Sequence, residues 1–302
     1  MISATDSIQR SFDWTRKVLF DPFSLGMWCA MGFTSFLASF LSGAGMNAPS
    51  GRPFRGFGSA ARNASPLGGV DEVRAWLLAH LGLVAALAVV ALAFVVLLTW
   101  LGSRGQFMFL DNVVHGRGLV ADPWNRFRQH GNRVFGFMVA LQAAGLAVAA
   151  LGLYAGWRVA GPDAADLHFG LQAVKGIFTA LAIILPLGFA AMLTGQILRD
   201  FVVPVMYLRG VTVTEGFGVW WRELVPGNGG SFVLFYLLKL LLAMAAGAAI
   251  LVGTCLTCCL AGLPYVSSVV FLPVAVFFRA YSLAFMGQCG EAWALLGSGS
   301  SH

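Results

Sequence analysis

Arg104-Gly-Gln-Phe-Met-Phe-Leu110, Arg199-Asp-Phe-Val-Val-Pro-Val-Met206 and Arg279-Ala-Tyr-Ser-Leu-Ala-Phe-Met286 decide the fold. In each, a long apolar run reaches an arginine and stays apolar for about two more helical turns. The arginines are 95 and 80 residues apart, and Met206 and Met286 stand equally far beyond theirs. This is the punctuation of a repeated unit in a chain that crosses a membrane several times. Composition agrees. Of 302 residues, 58% are hydrophobic and 11% charged, where a soluble domain carries about a quarter charged residues. Several apolar runs exceed the roughly 20 residues needed to span a bilayer.

Working outward from the arginines gives six spans, at about Phe23–Leu41, Ala75–Leu101, Val134–Trp157, Leu171–Leu198, Ser231–Leu256 and Leu263–Phe278. Pro186 is expected to kink the fourth, and Pro204 to bend its continuation. Each pair of spans follows a short amphipathic stretch with a tryptophan. In residues 6–20, Ile8, Phe12 and Leu19 recur at near-helical spacing beside Trp14. The second stretch carries Val120, Trp124 and Phe127 on one face. It opens at Asp122-Pro123 and closes at Gly131-Asn132. The third carries Val213, Phe217, Trp220 and Leu224 and closes at Gly227-Asn228. The expected fold is therefore an all-α integral membrane protein. Its six transmembrane helices form three parallel hairpin repeats, about 6–110, 111–205 and 206–290, within one domain over 1–296. Residues 297–302 read as a linker or tag.

The short loops carry twelve Lys and Arg on the N-terminal side of the spans and six on the other. This places both termini in the cytoplasm, in a multi-pass protein of the cytoplasmic membrane. The net charge of +6 lies beside apolar runs, which suits anionic lipid headgroups and not nucleic acid. A signal peptide is rejected because Asp6, Asp13 and Asp21 interrupt the start. The odd spans contain Ala143-x-x-x-Ala147, Gly145-x-x-x-Ala149, Ala243-x-x-x-Gly247 and Ala249-x-x-x-Gly253, spacing that lets helices approach closely.

Arg104, Arg199, Arg279 and Lys239 are the candidate residues for binding an anion or lipid headgroup. Paired guanidinium donors suit phosphate or carboxylate. The bland reading is that the arginines mark the membrane boundary and snorkel to lipid phosphate. Span six is short when Arg279 arrives, which makes Arg279 the exception. Lys239 either snorkels or pairs with Asp111, Asp200 or Glu223. Trp14, Trp124, Trp220 and Trp221 are the expected interfacial anchors.

Gly56-Phe-Gly-Ser-Ala-Ala61 nominally fits a dinucleotide fingerprint but has no strand before it, and Asn63-Ala-Ser65 is a weak glycosylation sequon. Cys255-Leu-Thr-Cys258-Cys259 lacks the histidine or second pair that a metal site needs. No catalytic residue, metal site or cofactor is called, and an enzyme is not expected.

Leu19-Phe-Asp-Pro-Phe23 ahead of Trp28, Phe109-Leu-Asp-Asn-Val113, Pro123-Trp124 with Gly131-Asn132, and Asp200-Phe-Val-Val-Pro-Val-Met-Tyr207 carry a resemblance. The chain resembles prokaryotic six-span membrane proteins of unknown function, including the membrane domain attached to some glycerophosphoryl diester phosphodiesterases. The resemblance implies six membrane helices with interfacial helices. It implies no phosphodiesterase activity, because that chemistry belongs to a separate soluble domain absent here. The functional expectation is a non-catalytic membrane protein that organises lipid, or a partner protein, at the cytoplasmic leaflet. The alternative is a transporter or channel for a lipid or small anionic solute, built on the arginine cluster. Membrane lipids, chiefly anionic, are the expected partners, and a homo-oligomer or membrane-protein partner stays open.

Overall fold

The computed structural model describes residues 3–41, 76, 78–161, 170–256 and 264–296. The loop with the fingerprint-like glycines and the sequon, the Cys258-Cys259 pair and the 297–302 tail lie outside them. The described residues are helical throughout, without strands. In order come α1 (Ala4–Phe20), α2 (Leu25–Leu41), α3 (Leu81–His115), α4 (Ala121–Arg126) and α5 (Arg128–Ala160). Then follow α6 (Leu171–Ile197), α7 (Val203–Arg209), α8 (Val213–Val219), α9 (Gly229–Leu256), α10 (Pro264–Val270) and α11 (Leu272–Gly287). Among the described residues, four stretches are long and apolar enough to cross a membrane: α3, α5, Leu171–Arg209, and Gly229–Gly253 within α9. No more than 11% of any of their most apolar windows is buried. A surface of that kind belongs in hydrocarbon.

The chain forms two compact units, residues 1–131 with 224–302, and residues 132–223. In the first, α3 has two unlike halves. At 1.5 Å per residue it is about 52 Å long, well beyond a ~30 Å hydrocarbon layer. Residues 81–98 are mostly exposed and apolar, whereas residues from Thr99 to Val114 are mostly buried. The buried half includes Ser103, Arg104, Gln106, Asp111 and Asn112. Helix α2 packs along that half only. Gly102 and Gly105 meet the backbone of Leu41, Leu37 and Ala38, where an added Cβ would come within 2.6 Å. Gln106 Nε2 donates to Ala38 O at 2.8 Å, and Asn112 Nδ2 reaches Thr34 Oγ1 at 3.4 Å. The described part of α2 therefore lies beside residues 102–112 of α3 and Gly118 of the loop after it, and not beside the apolar half of α3.

The sixth expected span is two helices. Pro273 has no amide to give the preceding turn and its ring crowds the backbone behind it. The chain breaks at Phe271 and restarts with Pro273 in the first turn of α11. Helix α11 packs on α1. Of the apolar stripe on α1, Leu19 is buried, and the rest of the packed face is small and hydroxylated. Ser7, Ser11 and Thr15 are buried with Ala4 and Val18, while Phe12 is 60% exposed. Each hydroxyl donates to the carbonyl four residues back, Ser7 to Ser3, Ser11 to Ser7 and Thr15 to Ser11. Their polarity is thus satisfied within the helix, and a small flat face is left for α11. Gln288 clamps the start of α1, accepting from Ser3 N at 2.7 Å and donating to Ser3 O and Ser7 Oγ, each at 2.9 Å.

In the second unit, α5 and α6 form a close hairpin. An added Cβ on Gly176 would lie 2.5 Å from Gly156 O, and one on Gly156 would lie 2.7 Å from Gly176 O. The expected small stripe is displaced: Ala143, Gly145 and Ala147 are exposed, and Gly152, Gly156 and Ala160 make the contact. Pro204 does not end the helix. One π turn, Leu198–Val202, with Val203 N–H bonding Leu198 O, carries the chain past it. Helix α8 starts at a capping box: Thr212 Oγ1 accepts from Glu215 N, and Thr212 N donates to Glu215 Oε2 at 2.8 Å. A π turn, Trp220–Leu224, extends it.

Candidate functional site

The site is a cleft in the first unit, where the end of α1 meets the end of α3. Trp14, Lys17 and Val18 come from α1, and Asp21, Pro22 and Ser24 from the turn after it. Met27 comes from α2, Val114 and His115 from α3, and Gly116, Arg117 and Gly118 from the loop beyond. The cavity volume is about 520 Å³. A second hollow of about 330 Å³ lies on the other flank of the same α1 turn. It shares Trp14 and Lys17 and adds Arg10, Asp13, Leu283, Ala284, Gly287, Ala294 and Leu296.

Local sequence fixes the loop wall. Helix α3 ends at Gly116, whose φ of 60° is one that side-chain-bearing residues rarely adopt. The amides of Gly116 and Arg117 both donate to Asn112 O. The Asn112 amide group then holds Leu119 from both sides: Leu119 N donates to Oδ1 at 3.0 Å and Nδ2 donates to Leu119 O at 2.9 Å. Gly118 presses on α2, where an added Cβ would come within 3.0 Å of Met27. Asp111 sits beneath, with its side chain 1% exposed. Arg117 Nη2 donates to its Oδ2 at 2.9 Å, and His115 Nδ1 lies 3.4 Å from its Oδ1. A carboxylate buried that deeply requires such a partner. Trp14 closes the opposite wall, its Nε1 donating to Val113 O at 3.0 Å, and Lys17 Nζ lies 5.6 Å from the indole centroid.

The residues singled out in the sequence fare unevenly. Arg104 and Arg279 do not snorkel; each is only 6% exposed. Arg104 lies against two indoles set edge to face, its guanidinium 4.3 Å from the Trp100 centroid and 4.8 Å from that of Trp124. Gly131 leaves room for it, since an added Cβ there would stand 2.8 Å from Arg104 Cγ. Gly131-Asn132 therefore ends no helix; both residues lie inside α5. Arg279 Nη2 donates to Gln106 O at 3.4 Å, so two of the three arginines meet the same stretch of α3. Arg199 is half-buried in the second unit, in the π turn after α6.

Two of the acids proposed for Lys239 are engaged elsewhere. Asp111 holds Arg117, and Glu223 takes a bidentate bond from Arg209 at 2.7 and 2.6 Å. Lys239 Nζ lies 5.8 Å from the Phe235 centroid. Of the expected tryptophan anchors, Trp14 walls the cleft, Trp124 covers Arg104 and Trp220 stacks on Phe201. Trp221 alone of the four is largely exposed, at 64%. His115, Arg117 and Asp21 were not singled out as site residues. Their signal was the Asp111-Asn112 pair followed at short range by Gly116-Arg117-Gly118, a buried acid and a tight loop that re-aims an arginine.

The chain matches a family of unknown function (DUF7544) over residues 2–267. It belongs to that family. No curated protein and no solved structure matches it. The DUF7544 match takes in every residue lining the larger cleft, whereas α11 with Arg279, and the Leu283–Leu296 side of the smaller hollow, lie beyond it. Membership assigns no activity.

Proposed function

We propose that the protein is a non-catalytic, multi-pass protein of the cytoplasmic membrane that organises lipid at the inner leaflet. In this reading α3, α5, Leu171–Arg209 and Gly229–Gly253 are the spans. Helices α1, α4 and α8 lie at the cytoplasmic interface, with both termini on that side. The observation that carries the reading is the larger cleft: two cationic side chains and an indole wall, next to exposed Phe20, Phe23 and Leu25. Cations and indoles beside apolar surface suit the headgroup layer. Exposed Arg10, Arg16 and Lys17 on α1 add attraction to anionic lipid of about 1 kcal/mol per charge near the surface. A carrier for an anionic solute draws less support. Arg104 and Arg279, its natural ligands, are covered by indoles or engaged with Gln106 O.

The test is reconstitution of the full chain into phosphatidylcholine vesicles containing a minority of phosphatidylglycerol, followed by detergent extraction and quantification of retained lipid. Retained lipid is expected to be enriched in phosphatidylglycerol. The enrichment should fall with salt and with Arg10→Gln and Arg16→Gln together. Retained lipid with the composition of the bulk vesicle would refute the reading.

A further inference from the structure

Lys17 and Asp21 stand four residues apart at the end of α1, the usual spacing of a helical ion pair. They do not pair. Ion pairs do form elsewhere among the described residues, His115–Asp111, Arg117–Asp111 and Arg209–Glu223 among them. The Lys17 ammonium is turned back over the Trp14 ring, and Asp21 lies past the helix end, at its C-cap. Both line the larger cleft, as does Arg117. The cleft thus holds cations on two walls and one separate carboxylate at its mouth. A purely anionic headgroup would meet that carboxylate as a like charge. A headgroup with a phosphate and a primary ammonium would match both signs.

From this we infer that the cleft is a receptor for the phosphate-and-primary-amine group of an aminophospholipid. The phosphodiester sits between Lys17 and Arg117, and the ammonium donates to Asp21. This rests on the lipid-contacting reading above and narrows it to one headgroup class. Three observations favour it. Arg117 is held by Asp111 through Nη2 at 2.9 Å, which leaves its other terminal nitrogen for a phosphate, since the guanidinium carries five donors. A primary ammonium offers three N–H donors to a carboxylate, and a quaternary one offers none. Phe20, Phe23 and Leu25, adjoining the lining residues Asp21, Pro22 and Ser24, are 53%, 60% and 65% exposed, a ledge for acyl chains that a soluble phosphoester would not use. A volume of 520 Å³ falls within the ~300–1,000 Å³ typical of small-molecule sites.

The experiment uses the full chain in phosphatidylcholine vesicles with equal minor fractions of phosphatidylethanolamine and phosphatidylglycerol at high salt, where diffuse surface attraction is screened. Lipid retained per protein is counted by mass spectrometry after extraction and gel filtration. Wild type is expected to favour phosphatidylethanolamine over phosphatidylglycerol about tenfold, equivalent to about 1.4 kcal/mol. Asp21→Asn should bring that ratio to about one without lowering phosphatidylglycerol retention, and Asp21→Glu should restore it. Lys17→Gln should lower retention of both lipids. A wild-type ratio near one, or a ratio unmoved by Asp21→Asn in a protein that elutes and melts like wild type, overturns the inference. If phosphatidylglycerol enrichment at low salt persists in that case, the broader lipid reading stands alone; if neither lipid exceeds its bulk share, both fall. Soluble O-phosphoethanolamine is the final arm. Displacement of the retained lipid at comparable concentration would assign the cleft to a free phosphoester instead.

Discussion

Asp111 and Arg117 share one ion pair but not one environment, and that inequality can be measured. The Asp111 side chain is 1% exposed and the Arg117 side chain 40%. Arg117→Gln takes from this buried carboxylate the guanidinium that donates to its Oδ2. Removing the guanidinium partner of a buried carboxylate costs about 3–5 kcal/mol. Asp111→Asn leaves a guanidinium already two-fifths in solvent and removes one charge-assisted hydrogen bond. That bond is worth about 1.5–3 kcal/mol, with the lower end expected because water screens the exposed partner. Removing the more exposed residue should therefore be the costlier change, by about 2 kcal/mol. The double variant Asp111→Asn/Arg117→Gln replaces the pair with two amides and should recover much of the single-variant loss. The assay is equilibrium unfolding in mixed micelles, following tryptophan fluorescence against the fraction of denaturing detergent. Midpoints should rank wild type, Asp111→Asn, then Arg117→Gln, with the double variant above Arg117→Gln. An Arg117→Gln protein as stable as wild type, or a double variant below both singles, would show that the carboxylate is not buried as described.

Other outcomes follow from the same packing. Trp124→Leu uncovers one face of the Arg104 guanidinium and should cost about 0.5–2 kcal/mol in the same assay. Phe107→Ala, at a side chain 0% exposed, should cost about 3–5 kcal/mol; Leu87→Ala on the same helix, 60% exposed, should cost little in micelles. Hydrogen bonding to Arg209 holds the Glu223 carboxyl below its usual range, and the backbone N–H of Thr212 does the same for Glu215. A depressed folded value means a stabilisation present above the ordinary carboxylate range and lost as pH falls through the lowered values. Glu223→Gln and Glu215→Gln should therefore melt below wild type at neutral pH, with the gap closing in acid. Burial pushes the Cys289 thiol up to about 11. Iodoacetamide at pH 8 should label Cys289 slowly in folded protein and readily after unfolding, read by peptide mass spectrometry.

The apolar runs made the helices legible. The stretch read as Val134–Trp157 is the centre of α5, and Ser231–Leu256 falls within α9. Hydropathy alone fixes length and little else, so it missed the break that Pro273 imposes on the sixth stretch. The face that α1 packs on protein was not legible, because a hydrophobic stripe counts Ser and Thr as polar. Three hydroxyls bonded to their own helix behave instead as small packing groups. Gly131-Asn132 and Gly227-Asn228 look alike, yet Gly131 clears space for Arg104 and Gly227 supplies a turn with φ of 74°. A dipeptide states which backbone shapes are permitted, and only the neighbours decide which permission is used. Arg279 alone was set apart from the boundary reading. Arg104 is covered by Trp100, one turn back on its own helix, and by Trp124 of α4, and Arg279 meets a carbonyl of α3; of these contacts only that of Trp100 is visible in local spacing.

The two halves of α3 show why the cleft lies where it does. Lipid tails are as apolar as leucine, so hydrocarbon does not drive the 81–98 half against other helices, and its exposed side chains need no protein partner. The 99–114 half carries Thr99, Ser103, Arg104, Gln106, Asp111 and Asn112 away from solvent. Each of those groups is costly to bury unless protein answers it. The answers fix position: Ala38 O for Gln106, Leu119 for Asn112, Arg117 for Asp111. The order of the first unit is thus concentrated in the polar half of α3, and the rigid loop that frames the cleft is the last turn of that network. A headgroup site at this place takes its fixed wall from those buried hydrogen bonds and its apolar ledge from exposed Phe20, Phe23 and Leu25.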